Sequence, residues 1–223
     1  MTPLERFMLG KFRSRIIPLA RGKVLEVGAG TGANISYYRW DTIEEICFTD
    51  REVDASFNRF WQRRLRQLGQ NKWGQSLLEQ NHRQTSSVQL RDKSEKPLVF
   101  IVSADAQSLP FPPESFDSVV STLVFCSLED PLKGAKEVWR VLRPGGRFLF
   151  VEHVRPEDPF GSTLADRCTP FWRRIASGCH LNRDTLATFR DAGFTFQQQV
   201  YQKGVFLGGV LIKSLSATPT KES

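Results

Sequence analysis

Three glycines at alternate positions, Gly28, Gly30 and Gly32, follow the apolar run Val24-Leu25-Glu26-Val27 and lead into a helix-compatible stretch. A buried strand that ends in such a turn lets backbone N–H groups approach a ligand closely, and a side chain at any of these positions would hold the ligand off. The turn is therefore expected to bind a nucleotide-like cofactor. Gly28, Gly30 and Ala33 also fit the dinucleotide spacing G-x-G-x-x-G/A, and Asp50 lies 20 residues beyond Gly30, where a ribose-binding acid belongs. Spacing alone leaves the cofactor open, and a turn that only permits tight strand–helix packing would carry the same glycines. Asp105 follows another apolar run, where it is either a ligand acceptor or a turn residue. His153 follows a later one and is the candidate general base, weighed against a hydrogen-bonded structural role.

These residues need strands to place them. Apolar runs predict strands at about 23–28, 45–50, 98–102, 116–121 and 147–152, with a helix from about 31 and another after Asp50 carrying Val53, Phe57, Phe60, Trp61, Leu65 and Leu68. A helix over 131–142 is closed by Arg143-Pro144-Gly145-Gly146, and one over about 183–192 by Gly193. The runs 194–201 and 205–213 are separated by only Gln202-Lys203-Gly204, so they are expected to pair as an antiparallel hairpin. Strands alternating with helices predict an α/β, Rossmann-like, mostly parallel sheet with helices on both faces. At the N-terminus, Leu4, Phe7, Met8, Phe12, Ile16 and Leu19 recur near helical spacing over 3–20, with Pro18 marking the end. Residues 1–22 are read as a cap helix, 69–96 as a polar insertion or mobile loop, and 214–223 as a disordered tail, so 1–213 forms one domain.

Composition narrows the class. The 223 residues are 40% hydrophobic, enough for one α/β core, and no apolar run approaches the ~20 residues of a membrane span. Cys47, Cys126, Cys168 and Cys179 form no C-x-x-C pair, and with His82, His153 and His180 they make no zinc signature. They read as reduced thiols of a cytoplasmic protein, and no metal is expected. The net charge of +7 sits unevenly: residues 1–23 hold six basic and one acidic residue, and 51–96 hold ten and five. Such segments suit a solvated face, an anionic membrane surface or RNA.

Glu26 extends the turn to E-x-G-x-G-x-G, which resembles the first motif of class I S-adenosylmethionine (SAM) methyltransferases. SAM carries a sulfonium and an ammonium and no pyrophosphate, so a carboxylate beside the loop suits it. Asp50, Ala104-Asp105-Ala106 with Leu109-Pro110-Phe111, Phe116-Asp117-Ser118-Val119-Val120 and Val141-Leu142-Arg143-Pro144-Gly145-Gly146 follow in that family's order. The resemblance covers about 22–213 apart from the insertion. It implies a seven-stranded sheet whose loop at Gly28, Ala29, Gly30, Thr31 and Gly32 passes under the methionine of SAM, with Glu26 orienting the ammonium group. It implies ribose hydroxyls on Asp50, the adenine amino group on Asp105, a ring nitrogen on the Ala106 N–H, and Phe111 or Leu109 flanking the ring. Thr122 and Leu123 would face the methionine and sulfonium. Asn34 and Arg51 complete the set expected to bind the cofactor.

A narrower resemblance lies in Ser121-Thr122-Leu123-Val124-Phe125-Cys126-Ser127, Val151-Glu152-His153-Val154, Trp172 and Gly178-Cys179-His180-Leu181-Asn182-Arg183. These segments are similar to the alkyl-thiol S-methyltransferases of animals and their bacterial relatives. The animal members carry an N-terminal membrane anchor, which this sequence is expected to lack. The resemblance implies methyl transfer to a small, apolar acceptor, with a thiol as first choice. A thiol of pKa near ~8.5 is partly ionised at neutral pH, whereas a hydroxyl needs a base, the role for which His153 is the candidate. Cys126 is read as a small packing residue. Alternatives are quinone or phospholipid methylation at a membrane, with the basic N-terminal helix as a peripheral contact, an RNA-binding or scaffold protein without catalysis, and an NAD-dependent enzyme. The stretch after the fourth strand lacks N/D-P-P-Y/F/W, which speaks against amino-group methylation of adenine or glutamine.

Overall fold

The computed structural model describes residues 3–53, 59, 61, 63, 97–176 and 178–215. Seven strands form: β1 (Gly22–Val27), β2 (Ile43–Asp50), β3 (Leu98–Ser103), β4 (Phe116–Thr122), β5 (Leu142–His153), β6 (Thr195–Lys203) and β7 (Phe206–Ile212). Among the described residues, four helices have defined bounds: α1 (Pro3–Ile16), α2 (Pro131–Val141), α3 (Pro159–Ile175) and α4 (Thr185–Asp191). All seven strands lie in one sheet of order β3-β2-β1-β4-β5-β7-β6. The pairs from β3 through β5 are parallel, and β7 runs antiparallel to both β5 and β6. The expected hairpin therefore exists, and its second strand inserts between β5 and its first.

Strict alternation along the strands sorts the core onto two faces. Val24, Val120, Leu149, Val151 and Val210 point to one face, where Leu9, Phe12 and Ile16 of α1 meet them. Leu25, Val119, Phe148, Phe150 and Leu211 point to the other, against Val138 of α2 and Phe189 of α4. The Phe189 ring sits edge-on to Phe125, Phe148 and Phe150, each centroid 4.9 Å away. Offset and edge-to-face packing of this kind adds about 0.5–1.5 kcal/mol per pair beyond simple burial. Gly208 lies under α1, where a Cβ would come within 2.6 Å of Ile16 and 2.7 Å of Phe12. The N-terminal helix thus covers one face of the sheet and ends in a short 3-10 turn over Ile17–Leu19.

Three expectations need correction. The stretch after the glycine loop is turn and two short 3-10 segments, Ile35–Tyr37 and Trp40–Thr42, in place of the α-helix expected from about 31. Gly30 and Gly32 hold positive φ, and Gly32 and Asn34 carbonyls are used in tight turns by Ile35 and Tyr37, which leaves no room to propagate an α-helix. Arg143-Pro144-Gly145-Gly146 does not separate a helix from a strand but bulges within β5, since Phe116 pairs with Leu142 and Ser118 already pairs with Arg147. The bulge is pinned to the end of β7 by Gly145 N donating to Lys213 O and Lys213 N donating to Gly146 O. Helix α3, which the periodicity did not predict, buries only Ala165 and Thr169 among its residues.

The helix expected after Asp50 lies outside the described residues except at Arg59, Trp61 and Arg63, which are helical. The insertion 69–96 and the tail from 216 also lie outside them. Among the described residues, no helix is long and apolar enough to cross a membrane.

Candidate active site

The parallel strands β1 to β5 all end on one edge, and the candidate residues gather there. Glu26, near the end of β1, is 1% exposed. Tyr38 Oη donates to its Oε2 at 2.5 Å and Asn34 Nδ2 donates to its Oε1 at 3.0 Å. The same Asn34 nitrogen donates to Thr122 Oγ1 at 2.9 Å, and Asn34 Oδ1 accepts from Arg13 Nε of α1 at 2.9 Å. One amide thus joins β1, the end of β4 and the N-terminal helix. Burial pushes the Glu26 carboxyl up from 4.5 to about 7, against the lowering effect of Tyr38, Asn34 and the Arg13 charge.

Above Glu26 runs the glycine loop. Gly28, Gly30 and Gly32 have φ of +67°, +49° and +63°. The reason for glycine differs along the loop. A Cβ on Gly28 would lie 2.4 Å from Val124, and one on Gly32 would lie 2.8 Å from Ile35 and 3.3 Å from the Trp61 ring. Among the described residues, a Cβ on Gly30 would meet nothing within 4 Å. Of the three, only Gly30 faces open space among the described residues. The other two make way for the protein itself.

Asp50 closes the loop from the end of β2, its Oδ2 accepting from Gly30 N at 2.8 Å. Trp61 Nε1 donates to Gly30 O at 3.0 Å, and the Trp61 ring packs on Phe48 with centroids 4.4 Å apart. Trp61 is therefore part of the core under the loop. Exposed Arg51 follows Asp50, and its carbonyl accepts from Ser103 Oγ. Ala104 N donates to Asp50 O at 2.9 Å, which sets Asp105 beside the end of β2. Asp105 Oδ1 accepts from Gln107 N at 2.8 Å, so this side chain shapes its own turn. Buried Ala106 follows. The turn beyond is held by α2, where Glu137 accepts from Leu109 N and Arg140 donates to the carbonyls of Leu109 and Phe111. The Arg140 guanidinium keeps the Glu137 carboxyl below its ordinary range.

The neighbouring half of the edge is built on Glu152, which is fully buried. It accepts from Ser121 Oγ at 3.1 Å, Val124 N at 3.0 Å and Cys126 N at 3.1 Å. These bonds fold the segment after β4 into a tight turn in which Leu123 takes φ +59°, a left-handed conformation for a branched residue. His153 follows at the end of β5, its Nδ1 3.2 Å from Cys179 Sγ and its ring against Phe206. Cys126 is buried beside this pair. A hydrogen bond shared with Cys179, together with burial, raises the Cys126 thiol well above its ordinary value, and the same contact holds Cys179 below its own. His180 N and Nδ1 lie 2.8 and 3.1 Å from Cys126 O, and Arg183 donates to Phe125 O at 2.6 Å.

The structure therefore links Glu26, Asn34 and Thr122 in one hydrogen-bond network and Asp50 with the loop, while Asp105 and His153 stand farther along the same edge. Tyr38, Arg13 and Glu152 were missed as site residues. Tyr38 and Arg13 carry no periodic signal that points at Glu26. Glu152 stood within a segment noted for resemblance alone.

Residues 25–150 match the methyltransferase domain family. The thiol S-methyltransferase TMT1B of Rattus norvegicus is 32% identical over 184 residues, which is 82% of this chain and 64% of that protein. The human thiol S-methyltransferase TMT1A is 30% identical over 199 residues, 87% of this chain and 69% of that one. This chain thus spans somewhat under two thirds of the rat relative. In fold it is similar to the crystal structure of YcgJ from Bacillus subtilis, with TM-score 0.61 and 24% identity over 87% of this chain and 71% of that one. With a family match across the sheet, the glycine loop and the strand-end acids, this chain belongs to the methyltransferase domain family.

Proposed function

We propose that this chain transfers a methyl group from SAM to a small, apolar thiol. The observation that carries the reading is the buried Glu26 carboxylate beneath a loop whose one open glycine, Gly30, is held by Asp50. A negative group buried at that place suits a cation, and the half-buried Asp50 carboxylate has acceptor capacity left for hydroxyl groups. In this reading Glu26, through Asn34 and Thr122, sets the charge under the ammonium group. Gly28, Ala29, Gly30, Thr31 and Gly32 line the methionine, Asp50 and Arg51 meet the ribose, and Asp105 and Ala106 meet the adenine. Leu123 and Thr122 face the sulfonium.

When bound, SAM supplies a methyl group already activated by its positive sulfur. The residues of this chain align the two partners and keep water out. A thiol acceptor is supported by the names of the relatives that match over 82% and 87% of the chain. Such an acceptor needs little help to ionise, which suits an edge where His153 has one ring nitrogen already taken. Titration calorimetry with SAM tests the donor half, and absence of binding would sink it. Turnover across alkyl thiols, phenols, quinones and phospholipids tests the acceptor half, with thiols expected to lead.

A further inference from the structure

Cys126, His153 and Cys179 come from three separate stretches of the chain and meet past the ends of β4 and β5, the edge where ligands bind in open parallel sheets. All three residues are buried, and their ligand atoms lie within 4.8 Å of one another. A tetrahedral Zn2+ has bonds of about 2.3 Å to sulfur and about 2.0 Å to imidazole nitrogen, so its ligand atoms stand roughly 3.5–3.8 Å apart. His153 Nδ1 and Cys179 Sγ are already 3.2 Å apart. Shifts of about 1 Å or less bring all three atoms onto one ion.

The surroundings fit such an ion. Cys126 is fixed through its backbone, its N–H on Glu152 and its carbonyl on His180, and its sulfur lies against Cys179 and 3.7 Å from Ser127 Oγ. Among the described residues the buried Trp172 Nε1 has no hydrogen-bond partner except the Cys179 sulfur that it faces. An N–H donor facing sulfur is what a metal-bound thiolate takes up as an outer contact. Arg183 is close enough to both sulfurs to interact with them electrostatically. Two cysteines and one histidine are a donor set for a soft or borderline divalent cation, and three protein ligands leave one position open.

We infer that Cys126, His153 and Cys179 bind one thiophilic divalent cation such as Zn2+, whose fourth position takes the thiolate of the methyl acceptor. Loading the ion breaks two S–H bonds, forms two metal–sulfur bonds and one metal–nitrogen bond, and sends two protons to solvent. An acceptor thiol that enters the fourth position loses a third proton to solvent. The ion site stands on the geometry alone, and the acceptor half rests on the thiol reading above.

The full chain, reduced and stripped with a chelator, is titrated with Zn2+ against a chromophoric competitor. One equivalent should bind. Cys126→Ser and Cys179→Ser should each weaken it by more than the ~10–100-fold typical of losing an outer contact. Cys47→Ser and Cys168→Ser should leave it unchanged, and circular dichroism checks that every variant folds. Co2+ in place of Zn2+ should give the visible bands of a tetrahedral sulfur-ligated ion, and propanethiol should shift them. Sub-stoichiometric binding, or binding that survives Cys126→Ser and Cys179→Ser, overturns the site. So does a Cys126–Cys179 disulfide whose reduction restores no uptake. Unshifted bands, or full thiol turnover by the metal-free chain, overturn the acceptor half. A loaded site in a chain that methylates no thiol sinks the thiol reading and leaves the ion site standing.

Discussion

The two halves of the reactive edge each rest on a buried glutamate, and they use it differently. Glu26 is held by side chains, Asn34 and Tyr38, which flank one short 3-10 segment. Glu152 is held chiefly by backbone N–H groups of the turn it supports. A carboxylate satisfied by side chains can exchange a partner for a ligand, and so acts as a charge that the site can use. One satisfied by the main chain fixes the path of the backbone and cannot be released without unfolding the turn. In the proposed reading, the donor side therefore depends on electrostatics and the acceptor side on shape.

That contrast can be broken at four places. The largest effect is expected from Glu152→Ala, which leaves two buried N–H groups and the Ser121 hydroxyl without their acceptor. At about 1–3 kcal/mol for each stranded group, the loss should be on the order of 4 kcal/mol in urea unfolding. If that variant is as stable as the parent, the turn does not depend on Glu152. Asp50→Ala should hardly change stability but should weaken SAM binding about 100-fold, the equivalent of roughly 3 kcal/mol from charge-assisted hydrogen bonds. Calorimetry that finds equal affinity would remove Asp50 from the donor site.

Glu26→Gln probes the charge itself. The carboxyl of the ligand-free protein titrates at about 7 against an ordinary value of 4.5, so the folded chain holds a proton that the unfolded chain releases between these values. Its contribution to stability is therefore complete below about pH 4.5 and is lost as pH rises through about 7. A cation bound above Glu26 favours the ionised form, so SAM affinity should increase with pH across the same window. Glu26→Gln should flatten both slopes, as followed by melting temperature and calorimetry from pH 5 to 8. The smallest effect is expected from Tyr38→Phe. It removes a hydrogen bond that lowers the Glu26 pKa, so the midpoint of the SAM affinity profile should move above 7 with little change in its height. A midpoint that stays in place would mean that Tyr38 is only packing.

Much of the sheet around the glycine loop was legible because its signals are local. The apolar runs of β1, β2, β4 and β7 are buried on both faces, and such strands read as continuous hydrophobic sequence. Asp130 caps α2 by accepting from Lys133 N, with Pro131 at the first turn, and the helix was read nearly to the residue. Helix α3 was not, because its large apolar residues face outward: Phe160, Leu164, Phe171 and Ile175 are all more than half exposed, and Pro170 interrupts the pattern. The α-helix expected from about 31 failed because positive φ at the glycines ends the regular backbone before a helix can start. On the acceptor side, Cys126, His153 and Cys179 are brought together only by the sheet. No spacing rule for metal ligands joins residues that sit on a loop, a strand end and a second loop.

Asn34 links matters that otherwise look separate. Its oxygen takes a hydrogen from Arg13, and its nitrogen gives to Glu26 and Thr122, so its orientation is dictated from three sides. The N-terminal helix is thereby a thermodynamic partner of the donor site as well as a lid on the core. If SAM tightens the contact between Asn34 and Glu26, it stiffens the seat of Arg13. By linkage, whatever pulls α1 from the sheet must then loosen SAM by the same factor. A cover that seems merely to hide apolar surface becomes a handle by which events at the start of the chain are felt where the methyl donor sits.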